Sequence, residues 1–290
     1  MSQTTTQVAR KIVNAMTVDV EDYFHVQAFA GVIDRANWES LPCRVEANTD
    51  RILSLLDQAQ MRATMFTLGW VAQRYPQIVR RIVAAGHEVA SHGYGHQRVD
   101  SLSEAEFRAD VSHARALLED IGGVTVRGYR APTFSINARC SWAYDVLAET
   151  GHTYSSSVYP VRHDLYGTPD APRLPHLAGG KGLWELTMTT VQMGGQNLPC
   201  SGGGYFRLLP YALFRIGPRR ANARGERAMF YTHPWEIDPE QPRVAGASRL
   251  SNFRHYLNLH RTESRLQRLL RDFAWDRVDN VFADVINRAA

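Results

Sequence analysis

Side chains able to exchange protons or hold a metal ion fall in four short stretches of this sequence. Asp19, Glu21 and Asp22 stand together in Thr17-Val18-Asp19-Val20-Glu21-Asp22. His92 and His96 bracket a glycine-rich run, Ser91-His92-Gly93-Tyr94-Gly95-His96. Arg130 opens Arg130-Ala131-Pro132-Thr133-Phe134, and His233 opens His233-Pro234-Trp235. Two imidazoles and a carboxylate make a hydrolytic zinc site that leaves one position open for water. With 11 histidines in 290 residues, a spacing of four recurs easily by chance. The glycines beside both histidines add weight, because they favour a loop or tight turn in which two imidazoles converge.

Each stretch also has a plainer reading. Acids at a strand end often cap the next loop or helix, Arg130 fits a surface turn, and His233-Pro234-Trp235 fits a packed turn. What favours chemistry is where the stretches fall among the elements that must position them. Ile12 to Val20 reads as a buried strand ending in acids. Ile52, Leu55, Leu56 and Ala59 mark one helical face. Ala63 to Leu68 is a short β-rich run. Tyr75-Pro76 opens a helix through Ile78, Ile82 and Val83 that Gly86 closes.

His87 to Ser91 resumes as a strand, and Ser103 with Glu106 gives a capping-box spacing before a helix to about Ile121. A strand at Val124 to Tyr129, a helix near Ala138 to Glu149 and a strand at Thr153 to Val158 follow. Pro160 to Gly182 reads as a long surface loop. Alternation returns at Leu183 to Val191 and at Ala228 to Thr232, and a final helix spans roughly Phe253 to Asp272. This β-α-β-α rhythm predicts an α/β fold with a parallel sheet, either a barrel or a doubly wound sheet. In such folds the C-terminal strand ends share one crevice, and all four stretches follow strands.

Composition narrows the function classes. A chain with 44% hydrophobic and 21% charged residues is ordinary for a soluble globular protein. Net charge is +4, carried almost wholly by scattered arginines. Arg261, Arg265, Arg268 and Arg271 follow helical spacing around Leu266, Leu269 and Leu270, which reads as a solvated helix face rather than a nucleic-acid stripe. The three cysteines, Cys43, Cys140 and Cys200, form no Cys-x-x-Cys pair and are expected as free thiols. The polar Met1 to Lys11 lacks the apolar core of a signal peptide. No stretch approaches the roughly 18 apolar residues of a transmembrane helix. A cytoplasmic location is expected.

Taken together, the four stretches resemble the motifs of the polysaccharide deacetylases, the NodB-homology group that forms carbohydrate esterase family four. The aspartate pair of the first motif resembles Thr17 to Asp22; the second resembles Ser91 to His96. The third, Arg-x-Pro followed by an aromatic, resembles Tyr129 to Phe134, and the last, an apolar strand ending in histidine, resembles Met229 to His233. Gly202-Gly203-Gly204-Tyr205-Phe206-Arg207 and His233-Pro234-Trp235-Glu236-Ile237-Asp238 resemble a sub-group found with exopolysaccharide and exosortase loci.

The resemblance implies a distorted (β/α) barrel forming one domain over residues 1–290, with motifs in 12–235 and a helical extension over 249–290. It implies a hydrolase that removes N-acetyl groups from an amino-sugar polysaccharide with one divalent metal ion. Zinc comes first, with cobalt, nickel and manganese as alternatives. His92 and His96 would be ligands. The acidic ligand is Glu21 by spacing or Asp22 by residue type. Asp19 would be the base, held by Arg130, and His233 the acid. Pro132, Phe134, Tyr205 and Trp235 would meet the sugar. Ser155-Ser156-Ser157 stands where relatives of the sub-group often begin with aspartate, so no supporting carboxylate is expected from that strand. The competing readings are a metal amidase on a small nucleotide- or lipid-linked sugar and a non-catalytic carbohydrate-binding relative.

Overall fold

The computed structural model describes residues 12–288; the polar Met1 to Lys11 stretch read above lies outside the described residues. Its main sheet holds β1 (Val13–Val20), β2 (Thr64–Thr67), β3 (Glu88–Ser91), β4 (Gly128–Tyr129), β5 (Tyr154–Ser155), β6 (His176–Ala178) and β7 (Leu183–Glu185). A separate hairpin pairs β8 (Thr190–Met193) with β9 (Gln196–Pro199), and β10 (Met229–Thr232) and β11 (Ala274–Asp276) return to the main sheet. The order is β10-β1-β2-β3-β4-β5-β7-β6, with β11 also on β1. Every pair is parallel except β6–β7.

The sheet curls toward a barrel without a closing ladder. Across the gap, Met229 N–H donates to Thr189 Oγ1 and Tyr231 N–H to the Ser201 carbonyl. This is the distorted α/β barrel expected above.

Strand alternation sorts side chains into two layers. Met16, Val18 and Val20 of β1 face outward into the largest apolar cluster. There they meet α1 (Val45–Gln58), α3 (Pro76–Ala84) and α10 (Leu259–Asp272). Ala15 faces the barrel interior with Phe66, Ala90, Tyr154, Met188 and Met229. Thr17 and Asp19 share that inner face and bond to Arg130. The remaining helices are α2 (Gly69–Arg74), α4 (Glu104–Gly122), α5 (Ala143–Glu149), α6 (Gly203–Leu208), α7 (Tyr211–Phe214), α8 (Ile216–Ala223), α9 (Arg249–Tyr256), α11 (Val278–Val281) and α12 (Ala283–Ile286). None of the described helices is long and apolar enough to cross a membrane.

Helix α4 begins with the predicted capping box: Glu106 N–H donates to Ser103 Oγ and Ser103 N–H to Glu106 Oε2. Several expected elements differ. The strand read over Val124 to Tyr129 shrinks to β4, because Val126 N–H goes to Glu119 Oε1 and the Val126 carbonyl to Arg115 Nε. The Thr153 to Val158 strand shrinks to β5, because Ser157 and Val158 N–H both donate to Glu185 Oε1.

The run from Leu183 to Val191 divides into β7 and β8. The second half leaves the sheet for the hairpin, turned by Gly194 and Gly195 at φ 57° and 76°, the positive angles of a type I′ turn. The surface loop over Pro160 to Gly182 contains β6. The final helix breaks into α9 and α10 at Asn258, which sits at φ 54° and donates to the Arg207 carbonyl. Cys43, Cys140 and Cys200 are free, as expected.

Candidate active site

Strand register sets the site. Asp19 pairs with Phe66, Thr67 with Ser91, Ser91 with Tyr129 and Val18 with Thr232. The residues just past these positions, Glu21, His92, Arg130 and His233, therefore emerge at one end of the barrel.

Both histidines of the second stretch depend on a tight turn. Gly93 takes φ 73°, and a Cβ there would lie 2.8 Å from Asp110 Oδ2. Asp110, on α4, accepts the N–H groups of Tyr94 and Gly95 at 2.8 and 3.2 Å. That carboxylate folds the turn and escaped the sequence reading, because nothing local links it to residues sixteen positions earlier.

The turn brings His96 Nε2 to 2.7 Å and His92 Nε2 to 3.9 Å from Glu21 Oε2. Glu21, His92 and His96 form the candidate metal cluster found among the described residues, all three buried. Tetrahedral zinc with bonds near 2.0–2.1 Å separates its ligands by roughly 3.3 Å, which these two distances bracket. Glu21 Oε2 is buried and accepts no aligned hydrogen bond, as suits atoms converging on a shared point rather than on each other. His92 Nδ1 lies 2.9 Å from the Arg130 carbonyl, so Nδ1 carries the proton and Nε2 offers its lone pair, the usual outer-shell arrangement of ligating histidines. Burial, with the His96 charge, pulls the His92 pKa down to about 4, so its ring is neutral at pH 7. The residues fit a divalent ion.

Asp22, the other candidate ligand, is occupied elsewhere. Oδ1 accepts Tyr23 N–H, and Oδ2 accepts the N–H groups of Arg44 and Val45 at 2.6 and 2.8 Å. These last two open α1, so Asp22 is a remote helix cap at the positive end of the helix dipole. The choice left open by the sequence is thus corrected in favour of Glu21 by geometry, and the one-residue gap was the better guide.

Asp19 Oδ1 accepts a 2.6 Å bond from Arg130 Nη1. Arg130 is fully buried. Its other donors go to Thr17 Oγ1, the Ser156 carbonyl and Ser156 Oγ, and its plane lies over Phe66 at 4.1 Å. Ser156 thus holds the guanidinium directly, while Ser155 Oγ, where relatives often have aspartate, donates to Ser157 Oγ. Ser157 Oγ accepts Ala131 N–H and completes the support.

His233 Nε2 lies 3.8 Å from Asp19 Oδ2 and 3.7 Å from Glu21 Oε1. Burial alone would lower its pKa, but the Glu236 carboxylate, 3.6 Å from Nδ1, with the charges of Glu21 and Asp19, raises it to about 9. Glu236 is buried and paired with buried Arg207 at 3.1 Å; burial opposes its ionisation, yet Arg207 and His233 bring its pKa to about 2. This Arg207–Glu236–His233 chain spans 29 residues in sequence between its first two members, so no local pattern announces it. Asp238 instead pairs with Arg44 and Asn48 and is structural.

A cleft of about 360 Å³ opens over these groups. Phe134, Tyr205 and Trp235 line it; Pro132 does not and is buried in the short turn Pro132–Phe134. The sugar contact expected of Pro132 is corrected: it shapes the turn in which Thr133 and Phe134 take φ 58° and 48°. Trp235 also donates from Nε1 to Glu21 Oε1 at 3.3 Å and stacks between His233 and His255.

Comparison with known proteins fits this arrangement. Residues 36–155 match the polysaccharide deacetylase family, and residues 156–283 match a domain of unknown function, DUF3473. The chain carries a polysaccharide deacetylase domain. The site of this deacetylase-domain protein is composite. His92, His96 and Arg130 lie within the 36–155 match, Asp19 and Glu21 precede it, and His233 and Glu236 lie in the DUF3473 match. Strands from both segments share one sheet.

Curated relatives include a Bacillus cereus peptidoglycan-N-acetylglucosamine deacetylase, 33% identical over 29% of this chain and 30% of its own length. Another is a Sinorhizobium fredii chitooligosaccharide deacetylase, 32% identical over 38% of this chain and 49% of its own. The deacetylase-domain chain thus spans about half the length of these relatives or less. Among solved structures, a Mycobacterium smegmatis protein superposes with TM-score 0.55 at 21% identity, covering 91% of this chain and 92% of that one. The Bacillus subtilis peptidoglycan deacetylase PdaC gives 0.51 at 15%, covering 94% and 91%. Both show the fold.

Proposed function

We propose that this protein is a metal-dependent hydrolase that removes N-acetyl groups from an amino-sugar polysaccharide. The observation that carries the reading is the convergence of Glu21, His92 and His96 at the floor of a cleft that also presents Asp19 and His233. The names of the relatives, which act on peptidoglycan and chitooligosaccharides, support the substrate class.

An amide is a poor electrophile, so its hydrolysis needs an activated water and relief of charge on the carbonyl oxygen. Glu21, His92 and His96 would hold a divalent ion, zinc by preference for two imidazoles and a carboxylate, which when bound acidifies water and polarises the carbonyl. Asp19 accepts the proton of the attacking water on its free oxygen, Oδ2. Arg130 holds the other oxygen. His233 then donates a proton to the departing amine. Glu236 keeps His233 charged and Arg207 keeps Glu236 in place. Phe134 and Trp235 offer apolar surface to the sugar or its acetyl methyl. The likeness of residues 202–207 and 233–238 to the exopolysaccharide-locus sub-group supports a role in exopolysaccharide synthesis.

The test is acetate release from N-acetylated oligosaccharides before chelation, after chelation and after metal is restored. Loss and recovery support the reading; full activity in metal-free protein contradicts it.

A further inference from the structure

Part of the cleft wall takes no part in the chemistry above, and it comes from the DUF3473 segment. Leu165, Tyr166, Tyr205, Leu208, Phe253 and Leu257 all line the cleft that holds Asp19 and His233. Scattered exposed apolar side chains are normal on a soluble protein. Here three of them, Leu165, Leu208 and Phe253, stay 38%, 50% and 56% exposed around one cleft.

The wall is also built to stay put. Tyr166 stacks on His163 at 4.0 Å and 13°, and on Tyr159 at 6.0 Å and 7°. Arg254, from α9, pairs with Asp164 at 2.8 Å, fastening that helix to the loop beneath Leu165. Arg98 donates to the Leu165 carbonyl at 2.8 Å, tying the same loop to the segment just after His96. Arg207 Nη1 donates to the carbonyls of Arg254, His255 and Leu257 while its Nε holds Glu236. One buried guanidinium thus fixes both the wall and the carboxylate beside His233.

We propose that this wall is a subsite for the sugar unit next to the one being deacetylated, and that glycan recognition is what the DUF3473 segment adds. A pyranose ring has a face of C–H groups and an edge of hydroxyls. The rings of Tyr205 and Phe253 suit the face. The charged edge formed by His163, Asp164 and Arg254 suits the hydroxyls. Preorganisation reduces the entropy lost when a flexible chain settles there. The inference rests on the deacetylase reading, because the subsite is defined by its reacting neighbour.

The experiment uses the metal-loaded full chain. It compares acetate release from N-acetylchitotetraose with release from N-acetylglucosamine, and measures N-acetylchitotetraose binding by calorimetry. Wild type is expected to prefer the tetramer in kcat/KM. Phe253→Ala and Leu208→Ala should each cut that preference, through KM, by about tenfold, the loss expected for one buried apolar contact. Leu213→Ala, exposed and outside the cleft, serves as the control and should keep it. Absence of a tetramer preference in wild type, or variants that retain it in full, would overturn the subsite. Failure of the deacetylase reading shows separately. If no acetate is released, tetramer binding that Phe253→Ala weakens still supports the subsite, and absence of tetramer binding overturns it.

Discussion

Glu21 Oε2 lies 2.7 Å from His96 Nε2 and yet accepts no aligned hydrogen bond, although it is buried. A buried carboxylate oxygen left in that state is costly unless something else completes it. Burial alone would raise the Glu21 pKa, but His96, then His233 and His92, hold it well below the usual carboxylate range. A charged oxygen facing neutral His92 Nε2 is what a divalent cation requires.

Glu21 and Asp22 should therefore respond in opposite ways. Glu21→Gln is expected to lose bound metal while keeping the fold. Asp22→Asn is expected to keep metal and to lose about 1–2 kcal/mol of stability, because it weakens the cap on α1. Metal analysis together with thermal unfolding reads both effects. Equal metal content in the two variants would contradict the assignment of Glu21.

Arg130 and Asp19 form a buried pair, and breaking one side leaves the other charge uncompensated. Arg130→Met should cost about 3–5 kcal/mol of stability. Asp19→Asn combined with Arg130→Met should recover part of that loss without recovering acetate release. Denaturant unfolding of the two single variants and the double variant supplies the cycle. Strict additivity would show that the pair is not coupled.

Much of the positioning was legible in the sequence. Strands that end in Val20, Ser91, Tyr129 and Thr232 could be read from apolar runs, and their parallel register follows from the alternation with helices. The capping box at Ser103 was equally readable, because it is local. What could not be read is carried by side chains meeting across the barrel. Glu185 and Glu119 capture backbone N–H groups and shorten two expected strands. Asp110 folds the histidine turn, and Arg207 reaches Glu236. The Gly194-Gly195 turn is a hairpin signal, but it lies just past the Leu183 to Val191 run read as one strand.

His233 is held protonated up to about pH 9, burial being outweighed by Glu236, Glu21 and Asp19. If its proton goes to the leaving amine, the alkaline limb of kcat/KM should lie near pH 9, falling as the imidazole deprotonates. Glu236→Gln removes the largest raising influence, so the limb should shift to lower pH. A limb that stays put in this variant would sever Glu236 from the role assigned to it.

Glu88 gives a stability test away from the site. Its carboxylate accepts Thr64 Oγ1 and Tyr154 Oη, and burial, then the Asp279 charge, raises its pKa to about 7. A group raised on folding favours the folded state at acid pH. That contribution is whole below its unfolded pKa near 4.5 and is lost as pH rises through about 7. Wild type should accordingly lose stability across pH 5 to 7.5, and Glu88→Gln should flatten that slope. Parallel slopes in the two proteins would contradict the account of Glu88.

The central claim is that Glu21, His92 and His96 hold one divalent ion. Anomalous diffraction from crystals of the zinc-loaded protein locates the ion directly. The account predicts one site within about 2.0–2.2 Å of His92 Nε2, His96 Nε2 and Glu21 Oε2. An ion bound by Asp22, or no ion at this cluster at full zinc loading, would contradict it.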